Sequence, residues 1–205
     1  YWSRQSEEQK RHLCDKYPDM VGNADGVEGW ARDRANRNRL PGLKQEAQGK
    51  IAYYAKCAET PGLDVDSRDY YLREKEKVEQ ELASYVAIEK QLGTGIALED
   101  YQHGKQGEPI SLLTLQNDGI RVKAAVAQGD VDHAKHVATQ VPGVGTTVPD
   151  SLETYMRETA NLRRAAADQG NIPVQDVATV AWLGYDAPSW DSSMTNNRLA
   201  DTGAD

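Results

Sequence analysis

The sequence predicts an α/β protein in which a helical, charge-dense region (residues 1–95) precedes a mixed strand-and-helix region (residues 96–205). Three observations predict this. From Ser67 to Leu92, apolar residues fall at Tyr71, Val78, Leu82, Tyr85 and Leu92, the spacing of one helix face, and Glu74, Lys75, Glu76, Lys77, Glu79 and Glu81 fill the other. Two short apolar runs, 110–115 and 122–127, flank Asn117-Asp118-Gly119, a hairpin turn signal. Two further runs, 136–141 and 177–183, are separated by a helical pattern. A strand–helix–strand crossover implies parallel neighbours in a helix-covered sheet.

The first helix starts at Ser3 or Ser6, and Ser6 with Gln9 makes a capping box. Pro18 ends it, because the residue before a proline avoids the helical region. The stretch 20–26 is turn chemistry. A second helix is expected over 27–40, broken at Pro41-Gly42, and a third over 43–58, closed by Thr60-Pro61-Gly62. The 67–92 pattern is shorter than about four heptads, which favours packing against its own domain over a coiled coil. Gly93-Thr94-Gly95 and 102–108 form a linker. In the second half, Asp150 or Ser151 caps a helix that presents Leu152, Tyr155, Met156, Thr159 and Leu162 on one face and stops at Gly170-Asn171.

Composition excludes several classes of function. The chain has 205 residues, 39% of them hydrophobic, and a formal net charge of −8. Phosphate binding needs clustered Lys and Arg, so nucleic acid is not an expected partner, nor is an anionic membrane surface. Arg32, Arg34, Arg37 and Arg39 come nearest to a basic patch, but Glu28 and Asp33 interrupt them and they read as a solvated helix face. No run approaches the ~18 apolar residues of a membrane span. The chain starts at Tyr1-Trp2, with neither an initiator Met nor a signal sequence, so its true start is expected upstream and the compartment is left open between the cytoplasm and export by a signal-peptide-independent route. The two cysteines, Cys14 and Cys57, are expected as buried free thiols in helices, a helix-to-helix disulfide being the alternative.

Ligands of open α/β sheets bind beyond the carboxyl ends of the strands. Two segments fall there. The first, Pro142-Gly143-Val144-Gly145-Thr146, follows a strand and precedes a helix. Its glycines let the backbone turn sharply and leave N–H groups able to hold a developing oxyanion. An ordinary tight strand-to-helix turn is the alternative. A phosphate loop is disfavoured, because no Lys-Ser/Thr follows the glycines. The second segment, Gly184-Tyr185-Asp186-Ala187-Pro188, has the small–x–Asp–x–small spacing of an aspartate-nucleophile elbow. An elbow needs a helix directly after the turn, whereas Pro188 leads into the loop-like Ser189-Trp190-Asp191. Asp186 therefore reads as a site lip or a capped turn. No serine has the flanking glycines of G-x-S-x-G. His133 and His136 stand near Asp130 and Asp132, but their spacing matches no standard metal set.

Four segments carry a resemblance. They are Trp2 with 17–27 (YPDMVGNADGV), then 31–37 (ARDRANR), then 129–137 (GDVDHAKHV) leading into 141–146 (VPGVGT), and 180–188 (VAWLGYDAP). In this order they resemble an actinobacterial family of α/β-hydrolase-fold proteins of unknown function, whose members often carry a helical region linked to WXG-type secretion proteins. The resemblance implies a helical leader followed by the first half of an α/β-hydrolase sheet, incomplete in this chain. It also implies an oxyanion-hole loop at Gly143, Val144, Gly145 and Thr146, and Tyr185 and Asp186 lining the site. The nucleophile elbow, the acid and the histidine would lie beyond Asp205. The absence of Phe and the pair Thr139-Gln140 depart mildly from the family pattern.

The expected function is then part of a serine hydrolase acting on an ester or amide, without a cofactor. The alternative is a catalytically silent hydrolase-fold protein that serves secretion or assembly through its N-terminal helices. A sheet ending at its fourth strand would expose that strand's edge, so a companion polypeptide or a missing C-terminal half is the expected partner.

Overall fold

The computed structural model describes residues 2–185. Ser6 starts the first helix, α1 (Glu7–Lys16), through a reciprocal capping box: its Oγ accepts the Gln9 N–H at 3.2 Å, and the Gln9 side chain accepts the Ser6 N–H at 2.9 Å. Pro18 ends α1 and opens a single turn, α2 (Pro18–Val21), where a missing N–H costs nothing. The next helix departs from expectation. One 30-residue helix, α3 (Gly29–Ala58), runs through Pro41 instead of breaking there. An internal proline removes one helix bond and costs about 3 kcal/mol. Here Pro41 and Gly42 face solvent, while Leu40 and Ala47 are buried in the core shared with α4 (Val65–Leu92). Packing along two long helices outweighs the local cost. Asp64 caps α4, accepting the Ser67 N–H at 2.8 Å, and the inward face carries Val78, Tyr85, Ile88 and Leu92. No helix of the described residues is long and apolar enough to cross a membrane.

After a short helix, α5 (Leu98–Gln102), the chain forms β1 (Ile110–Asn117) and β2 (Val122–Gln128), the expected antiparallel hairpin. β3 (His136–Gln140) follows, then α6 (Val148–Gly170) and β4 (Val177–Leu183). The sheet order is β1-β2-β4-β3, with β4 parallel to β3 and antiparallel to β2. This corrects one expectation: the last strand does not present a bare edge, because the crossover through α6 inserts β4 between β2 and β3. Among the described residues the open edge belongs to β3, whose residues are largely exposed. Helix α6 begins earlier than Asp150, since Pro149 fits the first turn, and ends at Asn171 in the left-handed region (φ 49°). Leu162 is exposed, not inward-facing; Arg163 takes the buried position beside it.

The hairpin turn is held by side chains. Asn117 Oδ1 accepts the Gly119 N–H at 3.0 Å, and Asp118 Oδ1 accepts those of Ile120 and Arg121 at 2.9 and 3.1 Å. Burial pushes the Asp118 carboxyl up, but the Lys123 ion pair at 2.7 Å and the two N–H groups outweigh it and hold it at about 2. A carboxyl depressed from its unfolded value of about 3.9 stabilises the fold above that pH, and loses this stabilisation as pH falls toward 2. The urea midpoint gap between the native protein and Asp118→Asn is therefore expected to shrink from pH 5 to pH 2.5. A gap that stays constant would show that the charge contributes nothing.

One face of the sheet, with Leu112, Leu115, Ala124, Val126, Ala181 and Leu183, shares a core with α3, α4 and α6. The other carries Ala125, Ala127 and Val180 beside Leu113, Val131 and Trp182. Among the described residues, the outer edge of β1 is closed by side chains rather than by a strand. Asn23 bonds both the N–H and the carbonyl of Leu115 at 2.9 Å. Asn36 Nδ2 donates to the Leu112 carbonyl at 3.0 Å, and Asp33 accepts the Leu112 N–H at 2.7 Å. Arg37 reaches the Ile110 carbonyl at 2.6 Å and Arg39 that of Leu115 at 3.0 Å. The arginines are thus not a solvated face. Arg32 reaches Thr114 at 3.1 Å, and Arg34 pairs with Asp15 and Glu99. Strand edges attract other strands, and this seal removes that hazard from β1.

Candidate functional site

Because β3 and β4 are parallel and in register from His136↔Val177 to Gln140↔Ala181, their carboxyl ends lie together. The loop 141–147 leaves β3 at that end and leads directly into α6. Its conformation is set by three hydroxyls. The Tyr185 hydroxyl donates to the Pro142 carbonyl at 2.6 Å. The Tyr155 hydroxyl accepts the Gly143 N–H at 3.4 Å, and Thr146 Oγ1 donates to the Gly143 carbonyl at 2.7 Å. Tyr185 is itself held by stacking on Trp182, with ring centroids 6.1 Å apart and planes 16° apart. Gly145 has φ 74°, a conformation that favours glycine. Among the described residues, no acceptor is bonded to the N–H of Val144 or Gly145.

Of the residues singled out in the sequence, Gly143, Val144, Gly145, Thr146 and Tyr185 therefore come together. Asp186 lies outside the described residues. Tyr155 and Trp182 joined the site unannounced. Tyr155 read as one member of an apolar helix face and Trp182 as strand, and only their neighbours show that they support the loop.

The histidine and aspartate cluster lies elsewhere and has other work. Asp132 caps α3 across the fold, accepting the N–H groups of Gly29 and Trp30 at 2.6 and 3.0 Å. Asp130 accepts from His133 Nδ1 at 2.9 Å, Gln102 Nε2 at 3.0 Å and the Asp132 N–H at 3.1 Å. Its hydrogen bond raises the pKa of His133. Among the described residues no group of side chains is arranged to hold a metal ion. Both cysteines are free, but only Cys14 is buried as expected, Cys57 being half-buried; Cys14 Sγ lies 3.4 Å from the Ala31 carbonyl, and burial pushes its thiol up to about 11.

A helical N-terminal region followed by a helix-covered, four-stranded mixed sheet is consistent with an α/β-hydrolase-type fold, and residues 118–205 match the family model described as alpha/beta hydrolase. The chain is similar to an uncharacterized protein of Mycobacterium bovis, 39% identical over 97 residues, covering 45% of this chain and 36% of that protein. An uncharacterized protein of Mycobacterium tuberculosis matches to the same extent. A second uncharacterized M. tuberculosis protein is 26% identical over 210 residues, covering 98% of this chain and 29% of that protein. The chain thus spans about a third of the length of these relatives. No solved structure matches it.

Proposed function

We propose that this chain supplies the oxyanion side of a serine hydrolase site for ester or amide substrates. A serine nucleophile, a histidine and an acid would come from polypeptide beyond Asp205 or from a companion chain, and a further strand would pair with the open edge of β3. The observation that carries the reading is the loop itself. Two N–H groups uncommitted among the described residues, on Val144 and Gly145, lie at the carboxyl ends of parallel strands and at the entrance to a 23-residue helix. Backbone donors fixed before the reaction stabilise an oxyanion because no reorganisation is needed when charge develops. The tyrosines and Thr146 provide that fixation. The hydrolase family match and the greater length of the relatives support the same reading. No cofactor enters it.

The test is intact-mass analysis of the full-length protein after treatment with a fluorophosphonate probe. One phosphonyl adduct on a serine is expected. Gly145→Val, which strains a backbone at φ 74°, is expected to slow labelling by about 100-fold or more while the helical circular dichroism is kept. No adduct on any chain of a folded sample would overturn the enzymatic reading in favour of an assembly role for the N-terminal helices.

A further inference from the structure

A cavity of about 600 Å³ lies at the amino ends of β3 and β4, the opposite end from the Gly143–Thr146 loop. Its walls come from the 104–109 loop, the Asp130–His133 turn, Arg163 of α6 and Val174-Gln175. Arg163 is only 7% exposed, so its charge needs a nearby counter-charge. Its Nε donates to the Val177 carbonyl at 2.6 Å and its Nη2 to the Val174 carbonyl at 3.1 Å, which fixes the guanidinium. Among the described residues only the remaining nitrogen, Nη1, meets a carboxylate, that of Glu108.

Glu108 is poorly suited to be a permanent counter-ion. Its side chain is half-exposed, and its loop turns through Gly104 at φ 90° and Gly107 at φ 148°. Beside it, His133 uses Nδ1 on Asp130 and leaves Nε2 open among the described residues, while Asp130 is fixed by Gln102 and the Asp132 N–H. The hydrogen bond to Asp130 favours the charged imidazolium. Lys105 also lines the cavity, in an exposed pair with Asp100. With Glu108 turned outward, Arg163, Lys105 and His133 stand over a wall whose remaining carboxylate among the described residues is Asp130.

We propose that this cavity binds a small polar carboxylic acid whose carboxylate replaces that of Glu108 on Arg163, with His133 and Lys105 holding the rest of the molecule. The exchange is chemically even, one carboxylate for another on the same guanidinium, so binding gains from the added contacts without leaving Arg163 unpaired at either end. Gln106 and Gln175 in the wall suit hydroxyl or amide groups on the remainder of the ligand.

The experiment is titration calorimetry of the full-length protein with malonate, and with inorganic phosphate for comparison. Glu108→Gln removes the resident carboxylate and keeps the backbone contacts, and is expected to tighten malonate binding by about tenfold. His133→Gln and Lys105→Gln change exposed side chains and should leave folding intact; each is expected to weaken malonate binding by about tenfold. Three results would overturn the proposal: no saturable malonate binding to the Glu108→Gln protein, malonate affinity indifferent to both His133→Gln and Lys105→Gln, or phosphate bound more tightly than malonate.

Discussion

Replacing Asp33 by alanine is expected to destabilise the folded protein by about 3–5 kcal/mol, the range for removing one partner of a buried ion pair. Asp33 is 1% exposed and lies in α3. Its carboxylate accepts the Leu112 N–H at 2.7 Å, the Leu98 N–H at 3.3 Å and Arg37 Nε at 2.8 Å. Burial pushes this carboxyl up, against the pull of Arg37 and the two backbone donors. Alanine would leave two buried N–H groups without an acceptor and a guanidinium without its partner, and each buried donor left unpaired costs about 1–3 kcal/mol. The β1 edge would open as well. Urea unfolding followed by far-ultraviolet circular dichroism measures the loss. A change below about 1 kcal/mol would mean that water replaces the carboxylate and that the edge seal contributes little. Asp33→Asn should cost less than alanine, since one oxygen remains to accept.

Gly129→Ala is expected to cost about 3 kcal/mol or more. The backbone there has φ 90°, where a side chain meets about 1–2 kcal/mol of strain. An added Cβ would also lie 2.8 Å from the Val177 carbonyl oxygen, 2.9 Å from Arg163 Nε and 3.0 Å from Ala178 Cα. Two of these are backbone atoms at the start of β4, an interior strand, so relief requires moving the sheet. Gly119 makes the control. It has φ 84° in the hairpin turn, but a Cβ there meets nothing within 4 Å, so Gly119→Ala carries the backbone strain alone. Comparing the two thermal midpoints separates strain from overlap. Equal losses would show that β4 yields to the methyl group.

The candidate site was legible only as a segment of chain. Gly143-Val144-Gly145-Thr146 between a strand and a helix signals a turn with exposed N–H groups, and the structure places it at the carboxyl ends of two parallel strands. What holds the loop could not be read, because Tyr185 reaches Pro142 across 43 positions and Tyr155 sits on the following helix. The cavity at Arg163 was not legible at all. An arginine in the helix segment around 163 looks like any solvated residue until Val174, Val177 and Glu108 are folded around it.

The sequence by itself determined the features whose causes lie within a few residues of each other. These include the Ser6–Gln9 box, the Asp118 turn, the inward stripe of α4, the Asn171 stop and the strand–helix–strand order that defines the class of fold. Tertiary structure alone decided the continuity of α3 through Pro41, the insertion of β4 between β2 and β3, and the roles of Asn23, Asp33, Asn36 and Asp132. The reason is the range of the interactions. A cap or a turn is a contest between neighbouring backbone groups, so its residue types announce it. A buried N–H takes whichever acceptor the fold brings to it, and here Leu112 lies 79 positions from Asp33 and Gly29 lies 103 from Asp132. At such separations an Asp that caps a distant helix and one that faces water are the same letter, and only packing tells them apart.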